Sequence, residues 1–382
     1  MPIFTQAVEP SADVAEARAR FLADLHAWIT DCMARYGDAP ATDVHDQGTY
    51  ITGWEPYLRA TGDREVLAFI TRTRDRIRDH FVTTDQWRHG YWRMQEAHHG
   101  TEHFELFLGM LSRVAPSDSE TRRQLFDAAE HMGNWSAEAP PWFDWERRRF
   151  RSLFFGTDGV RLEPGMDVNT PDHLRCVNIC LLAFDAFPND RRFLDLAVVY
   201  MDEWAQAILA GERLPLALTP TGALHDFAGP DEAVYRAFAG EAPDLHGAVD
   251  RAENFLTSDG VNTFLRLWQE TGHQPFRQAA ERILDPLVTQ LADPDAGAAA
   301  GAVRAYRQWT GDTRYDAAVL DAVADLDPFA VGSLGLDTDF RLGHRPSGVG
   351  KRSDMPRWLE DGAPRRCNPI TLSVAAEIRG DR

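Results

Sequence analysis

The chain has 382 residues and a formal net charge of −19, with 26% charged and 44% hydrophobic residues. This composition is typical of a soluble globular protein with enough residues for one large barrel or two ordinary domains. The acidic excess argues against nucleic acid or an anionic membrane as a partner, because both are bound by basic surfaces.

The N-terminus shows no basic region followed by an apolar run, and no stretch has the length of a membrane span. The four cysteines show no zinc-ligand spacing, and Cys176 and Cys180 lie four residues apart in an apolar helical pattern. We therefore expect a cytoplasmic protein with reduced thiols. The only lysine, Lys351, lies in a stretch without the spacing of a phosphate loop, and we expect no cofactor.

Helical periodicity and capping residues predict an all-α fold from the first residues onward. Amphipathic helices are expected over 12–36, 46–60 and 64–81. Turns that end in glycine then separate one helix from the next, and glycine at such a position supplies a left-handed C-cap. These glycines are Gly62, Gly272 and Gly311. Repeated hairpins of this kind predict an (α/α) barrel or toroid.

Long insertions interrupt the helical pattern at 83–100, 134–172 and 212–250. Loops of this length inside a compact domain are usually functional, so we expect them at the end of the barrel that carries the site. Residues 328–382 are rich in Pro, Gly and Arg and only weakly periodic. The prediction is one toroid over 1–327, with an irregular tail over 328–382 that wraps the same body.

The stretch from Tyr91 to Glu105 concentrates titratable groups where a loop meets a helix. We expect Thr101 to cap this helix. His99 and Glu102 are candidate catalytic residues, and Trp92, His98 and His103 are candidate substrate-binding residues. The spacing of His99 and His103 also resembles that of metal ligands, but no HExxH arrangement is present, and we predict no metal.

Three further stretches place polar residues at expected helix starts. Each could be ordinary capping or surface structure, and each could contribute to a site if the hairpins close into a ring. The candidates are His45 and Asp46 for substrate binding; Asn169 for catalysis with His173 and Arg175 for binding; and Tyr235 and His246 for catalysis with Arg236 and Asn254 for binding.

Tryptophan-rich loops around His, Glu, Asn, Arg and Tyr side chains favour a saccharide, because aromatic faces stack on sugar rings while polar groups read hydroxyls. Two reactions remain open. In β-elimination from a uronide, Asn, His or Arg neutralises the carboxylate while Tyr or His moves the proton. In hydrolysis, two carboxyl groups flank the bond, with Asp46, Glu102 and Glu105 as candidates.

The run His98-His99-Gly100-Thr101-Glu102-His103-Phe104 resembles the His-x-Gly-Glu-Gly-type loop of α/α-toroid polysaccharide lyases that act on glucuronan or alginate. Leu245-His246-Gly247 resembles a later His-Gly of that family, and the likeness extends over about residues 43–290. His45-Asp46-Gln47-Gly48 is similar to the His-Asp-x-Gly start of unsaturated uronyl hydrolases.

The resemblance to the lyases implies that Asn169 with His99 or His246 neutralises the carboxylate and that Tyr235 is the acid/base. His103 departs from the pattern, because the family tends to have a small residue there. The leading expectation is a lyase for a uronic-acid-containing saccharide. A uronyl hydrolase and a non-catalytic helical scaffold are the alternatives, and a homodimer is compatible with each.

Overall fold

The computed structural model describes residues 12–37, 51, 54–225, 247–293, 297–324, 334–335, 359–360 and 369–380. Helices dominate these residues, and the strands among them are two or three residues long. The described chain is an α/α toroid built from helical hairpins, as the sequence predicts.

The helices follow one another in antiparallel pairs along the described chain. In chain order they are α1 (Ala12–Tyr36), α2 (Glu55–Thr61), α3 (Arg64–Thr83), α4 (Ala97–His103), α5 (Met110–Val114), α6 (Ser119–Met132), α7 (Leu174–Ala186), α8 (Arg192–Ala210), α9 (Ala248–Leu256), α10 (Gly260–Thr271), α11 (Gln274–Leu287), α12 (Gly297–Thr310), α13 (Asp316–Ala322) and α14 (Pro369–Arg379).

The glycine turns end helices as predicted. Gly62, Gly272 and Gly311 have φ values of 64°, 70° and 68°, the left-handed region in which glycine has no steric penalty. The backbone N–H of Gly62 donates to the carbonyl of Leu58, and that of Gly272 donates to the carbonyl of Trp268. These turns let the next helix fold back against the previous one.

The N-terminus of α4 differs from the prediction. Glu96 is the N-cap, and its carboxylate accepts a hydrogen bond from the backbone N–H of His99. Thr101 lies inside the helix, fully buried, and its hydroxyl donates to the carbonyl of Ala97 at 2.8 Å. The predicted cap at Thr101 is therefore wrong, because the cap, Glu96, lies five residues earlier.

Two large apolar clusters hold the helices together. The larger runs through α6 to α12 and includes the buried rings of Trp142, Tyr200 and Trp204. The smaller joins α1, α2 and α3 to the stretch around Phe107. Each buried large side chain contributes about 1.5–3 kcal/mol relative to an exposed one, so these clusters are the main source of the fold's stability.

Short antiparallel ladders shape the insertions between helices. In chain order the strands are β1 (Trp87–Arg88), β2 (Tyr91–Trp92), β3 (Gln95–Glu96), β4 (Phe143–Asp144), β5 (Arg149–Phe150), β6 (Phe154–Gly156), β7 (Gly159–Val160), β8 (Ala217–Thr219), β9 (Gly222–Leu224), β10 (Leu334–Gly335) and β11 (Leu359–Glu360). Their ladders are β1-β2, β3-β6-β7, β4-β5, β8-β9 and β10-β11. The predicted insertions are thus folded hairpins in their described parts.

The helix α14 lies within the predicted C-terminal tail and packs on the body of the toroid. Val374 and Ala375 are buried in the larger apolar cluster. The Thr371 hydroxyl donates to the carbonyl of Leu291 at 3.0 Å, and Arg304 pairs with Glu377. None of the described helices is both long and apolar enough to cross a membrane.

Candidate active site

One nearly continuous helical run from Ala97 to Val114 carries three histidines and two glutamates in its first nine residues. It begins as α4, widens into a π-helix over Phe104–Gly109, and continues as α5. Single π turns are frequently found at functional sites. His98, Glu102 and Glu105 recur at intervals of four and three residues, which places them along one side of the run.

His98 is buried and held by two acidic neighbours. Its Nδ1 lies 3.1 Å from Asp172 Oδ1, and its Nε2 lies 3.8 Å from Glu102 Oε1. Asp172 belongs to the short 3-10 turn Pro171–His173 that leads into α7. The contact therefore joins α4 to the start of α7.

His99 lies on the outer side of the same helix, with 48% of its side chain exposed. Its Nδ1 contacts the carboxylate of Glu96, which also caps the helix. The contact with His99 lowers the pKa of Glu96, outweighing the effect of burial. A charged Glu96 orients the His99 ring at the solvent boundary.

Arg175 is the cation of this group. It is buried, its Nη1 lies 3.0 Å from Glu105 Oε2, and its Nη2 donates to the carbonyl of Thr257. Its Nε is buried and has no hydrogen-bond partner within the described part of the chain. The ion pair therefore leaves one donor of the guanidinium unused there.

Glu105 is a carboxyl group of this cluster that ionises near neutral pH. The loss of hydration in its surroundings raises its pKa to about 7, although Arg175 opposes the shift. The neighbouring carboxylates of Asp259, Asp172 and Glu102 add to the increase. With 24% of its side chain exposed, Glu105 is accessible from solvent.

Acidic groups outnumber basic ones around Glu105. The carboxyl groups are those of Glu96, Glu102, Glu105, Asp172 and Asp259, and the guanidinium groups are those of Arg113 and Arg175. Arg113 is bound by both oxygens of Glu55 at 2.8–3.0 Å. The electrostatic potential of the cluster is therefore negative.

Two predicted site residues, Asn169 and His173, make buried structural contacts instead of joining this cluster. The amide of Asn169 binds both backbone groups of Phe150, accepting at 3.0 Å and donating at 2.7 Å. His173 Nδ1 accepts from the N–H of Thr170, and its Nε2 lies 3.1 Å from the carbonyl of Ser152. His173 thereby completes the capping box that begins at Thr170.

His103 also lies away from the cluster, on the side of α4 that faces α6. Its Nε2 lies 2.9 Å from Gln124 Oε1, and its ring packs against Trp87. Burial lowers the pKa of His103 to about 4, so the ring is neutral near pH 7. Trp92 packs edge-on against Phe81 and Trp87 as part of the same aromatic group.

The remaining predicted residues divide into two groups. Asn254 is half-buried on α9, whose residues contact the Pro171–His173 turn, so it belongs to the same end of the toroid. The others, His45, Asp46, Tyr235, Arg236 and His246, lie outside the described residues.

Some residues of the cluster were not singled out from the sequence. Glu96, Asp172 and Asp259 stand beside predicted residues or at a helix start, where capping explains an acidic side chain equally well. Their association depends on contacts between α4, the Pro171–His173 turn and the start of α10, which no local pattern reveals. The buried pair of Arg175 and Glu105 was likewise not predicted as a pair.

The same cluster includes a group of potential metal ligands. One side-chain donor atom from each of His98, His99 and Glu102 lies within 4.8 Å of the others. His98 and His99 already contact Asp172 and Glu96. These contacts occupy one ring nitrogen of each histidine, and the expectation that no metal is bound here stays a prediction.

No protein-family model and no curated protein matches this chain. Among solved structures, the chain is similar to one titled "Crystal structure of D-mannose isomerase", with a TM-score of 0.54 and 12% sequence identity. The alignment covers 98% of this chain and 100% of that chain. A likeness at this identity shows the fold alone, and it agrees with the α/α toroid of the described residues.

Proposed function

We propose that the protein is a sugar-converting enzyme that moves a proton at the carbon next to a carbonyl group, as in aldose–ketose isomerisation. The observation that carries the proposal is the helical run Ala97–Val114, which bears His99, Glu105 and their charged partners. It combines a half-exposed imidazole with a carboxyl group that titrates near pH 7. Proton transfer is most efficient when the pKa of the group is near the working pH.

In this mechanism His99 and Glu105 are the catalytic residues. One removes the proton from the carbon next to the carbonyl of the open-chain sugar, and the other protonates the carbonyl oxygen. Return of a proton to the former carbonyl carbon, with loss of the hydroxyl proton at its neighbour, yields the isomer. Glu96 positions His99, and Arg175 positions Glu105.

The charge of the cluster favours a neutral sugar. The carboxyl groups around Glu105 outnumber the guanidinium groups, and both arginines are paired with glutamates. An anionic uronide would be repelled by such a potential, whereas hydroxyl groups can bind carboxylates by hydrogen bonds. The solved structure with the similar fold is titled a D-mannose isomerase, so D-mannose and its ketose D-fructose are the first substrates to test.

β-Elimination from a uronide is the second candidate, because it begins with the same proton abstraction. The observation that favours it is Arg175, whose buried Nε makes no hydrogen bond within the described residues. The contacts of Asn169 argue against it. The resemblance implies that this residue neutralises the carboxylate, but its amide is hydrogen-bonded to the backbone of Phe150. The hydrolase and the non-catalytic scaffold are further outcomes of the same experiments.

The experiment uses the full chain with D-mannose, D-fructose, glucuronan, alginate and unsaturated uronyl disaccharides. Interconversion of the two neutral sugars, followed by NMR, supports isomerisation. A rise in ultraviolet absorbance with the polymers supports elimination, and its loss from the disaccharides supports hydrolysis. No change with any substrate contradicts all three reactions and leaves the scaffold.

Two variants test the assigned residues against a matched control. His99→Ala and Glu105→Gln are expected to lower kcat by about 10²-fold or more. His273 is 46% exposed and pairs with Asp202, much as His99 pairs with Glu96, so His273→Ala is the control and should leave kcat within about twofold. Equal activity of His99→Ala and His273→Ala would remove His99 from the mechanism.

A further inference from the structure

A second group of potential ligands lies on α6 and the segments beside it, outside the cluster around Glu105. Donor atoms of His89, His131 and Glu138 all lie within 4.8 Å of one another. His89 belongs to the turn between β1 and β2, His131 to the last turn of α6, and Glu138 to the following loop. Three separate segments thus meet at one point.

The two imidazoles are oriented as metal-binding histidines usually are. His89 Nδ1 lies 3.0 Å from Asp127 Oδ2, and His131 Nδ1 lies 2.7 Å from the backbone carbonyl of Asp127. His131 Nδ1 donates its proton to the Asp127 carbonyl, so its Nε2 keeps its lone pair. The Nε2 of His89 faces the Glu138 carboxylate, and a metal ion bound there would take the place of the ring proton. Carboxylates and carbonyls that hold the second ring nitrogen in this way are a regular feature of zinc sites.

His131 supplies an independent sign of a ligand. The residue is 2% exposed, and its Nε2 is buried with no hydrogen-bond partner among the described residues. A buried polar atom without a partner is rare in a native protein and calls for an explanation. The ring of His89 lies 4.1 Å from that of His131, and His89 Nε2 lies 2.9 Å from Glu138 Oε2.

A tight turn positions His89. His89 and Gly90 form the two-residue turn between β1 and β2, with φ values of 58° and 80°. Histidine is, with Asn and Asp, among the non-glycine residues found most often at positive φ. The turn therefore holds the His89 ring beside that of His131, and it is also compatible with Asn at this position.

We propose that His89, His131 and Glu138 bind one divalent transition-metal ion, with zinc as the best match. Two imidazole nitrogens and one carboxylate are a common three-residue zinc set, and a water molecule can complete the tetrahedron. Zinc binds here through His89 Nε2, His131 Nε2 and a Glu138 carboxylate oxygen. The ion links the loop after α6, through Glu138, to the β1–β2 turn, through His89.

The test titrates zinc into the full chain after treatment with a chelator, by calorimetry and by thermal denaturation. We expect about one equivalent bound and a rise in Tm on addition of zinc, because a ligand that binds only the folded state stabilises it. Cobalt substituted for zinc should give the visible absorption of a tetrahedral nitrogen–oxygen site. Absence of zinc binding to the wild-type chain overturns the proposal.

Variants identify the ligands without relying on a destabilised protein. His89→Asn suits the turn conformation while removing the imidazole, so it should fold and bind zinc at least about 100-fold more weakly. His131→Ala should weaken binding similarly, and Asp127→Asn about 10–100-fold. Unchanged zinc affinity in His89→Asn means that His89 is only an ion-pair partner of Glu138, and this result overturns the proposal.

Two controls exclude other histidines. His80 is exposed on α3, and His80→Ala should bind zinc as the wild type does. His99→Ala removes the other potential ligand group and should also retain zinc affinity. Loss of zinc binding in His99→Ala alone would place the ion at the candidate active site and contradict the assignment to His89 and His131.

Discussion

Replacement of Asn169 separates a structural from a catalytic role for this residue. The fully buried amide is the partner of the N–H and the carbonyl of Phe150, at 3.0 Å and 2.7 Å. Asn169→Ala leaves both backbone groups without that partner, and each unsatisfied buried group costs about 1–3 kcal/mol. We therefore expect the free energy of unfolding to fall by about 2–4 kcal/mol, since water entering the vacated space recovers part of the loss.

Asn169→Asp gives a sharper form of the same test. It keeps the acceptor for the Phe150 N–H but places a second oxygen against the Phe150 carbonyl, where the amide donates at 2.7 Å. Destabilisation should therefore be pronounced near neutral pH and smaller in acid, where a protonated carboxyl group can donate again.

Urea denaturation followed by tryptophan fluorescence measures both variants, and sugar conversion is measured on the folded fraction at low temperature. Asn189→Ala, on an exposed turn, is the control and should change stability by less than about 0.5 kcal/mol. Turnover per folded molecule should stay near the wild-type value in Asn169→Ala. Wild-type stability combined with lost turnover would refute the structural role.

Three further predictions concern titration and packing. The folded pKa of His103, about 4, lies below its ordinary 6.5. The stabilisation from the neutral, buried ring is complete above about pH 6.5 and is lost, by about 3 kcal/mol, as pH falls toward 4. His103→Gln should reduce this loss in acid. The folded pKa of Glu105, about 7, lies above its ordinary 4.5. Its stabilising effect is therefore complete below about pH 4.5 and is lost, by about 3 kcal/mol, as pH rises to about 7; Glu105→Gln should flatten the stability profile over this range. In Gly156→Ala the new Cβ would lie 2.4 Å from the backbone oxygen of Arg93, so the free energy of unfolding should fall by at least about 2 kcal/mol. Gly301 lies in helix α12 with open space around it, so Gly301→Ala should raise the free energy of unfolding by up to about 1 kcal/mol.

Urea midpoints measured across pH test the first two of these predictions, and midpoints at a single pH test the third. An acid loss as large in His103→Gln as in the wild type would mean that His103 is not buried as a neutral ring. A loss of stability between about pH 4.5 and 7 as large in Glu105→Gln as in the wild type would contradict the raised pKa of Glu105. Equal stability of the two glycine variants would contradict the close approach of Gly156 to Arg93.

Local chemistry made the helical fold predictable. The C-caps at Gly62, Gly272 and Gly311 and the helix start at Pro171 depend on residues within a few positions of one another. The start of α4 was missed, because Thr is a preferred N-cap residue and Glu is not, yet Glu96 caps this helix. The all-α toroid follows from many such signals together and tolerates an error at one of them.

The composition of the candidate site was less predictable, because it depends on distant partners. Asn169, His103 and His173 look functional in sequence, yet Phe150, Gln124 and Ser152 occupy their polar atoms. Conversely, Glu105 gains its near-neutral pKa from groups on other segments, including Asp259 and Asp172. Periodicity identifies which residues share a helix side, but it does not identify what lies opposite.

The most direct test of the proposed function is hydrogen exchange at carbon. The full chain is incubated in D₂O with D-mannose or D-fructose, and ¹H NMR follows the hydrogen on the carbon next to the carbonyl. We predict that deuterium enters this position as the two sugars interconvert and that His99→Ala and Glu105→Gln slow both processes together. Interconversion and exchange absent from both sugars, with an unsaturated product formed from a uronide instead, would contradict the proposed isomerisation.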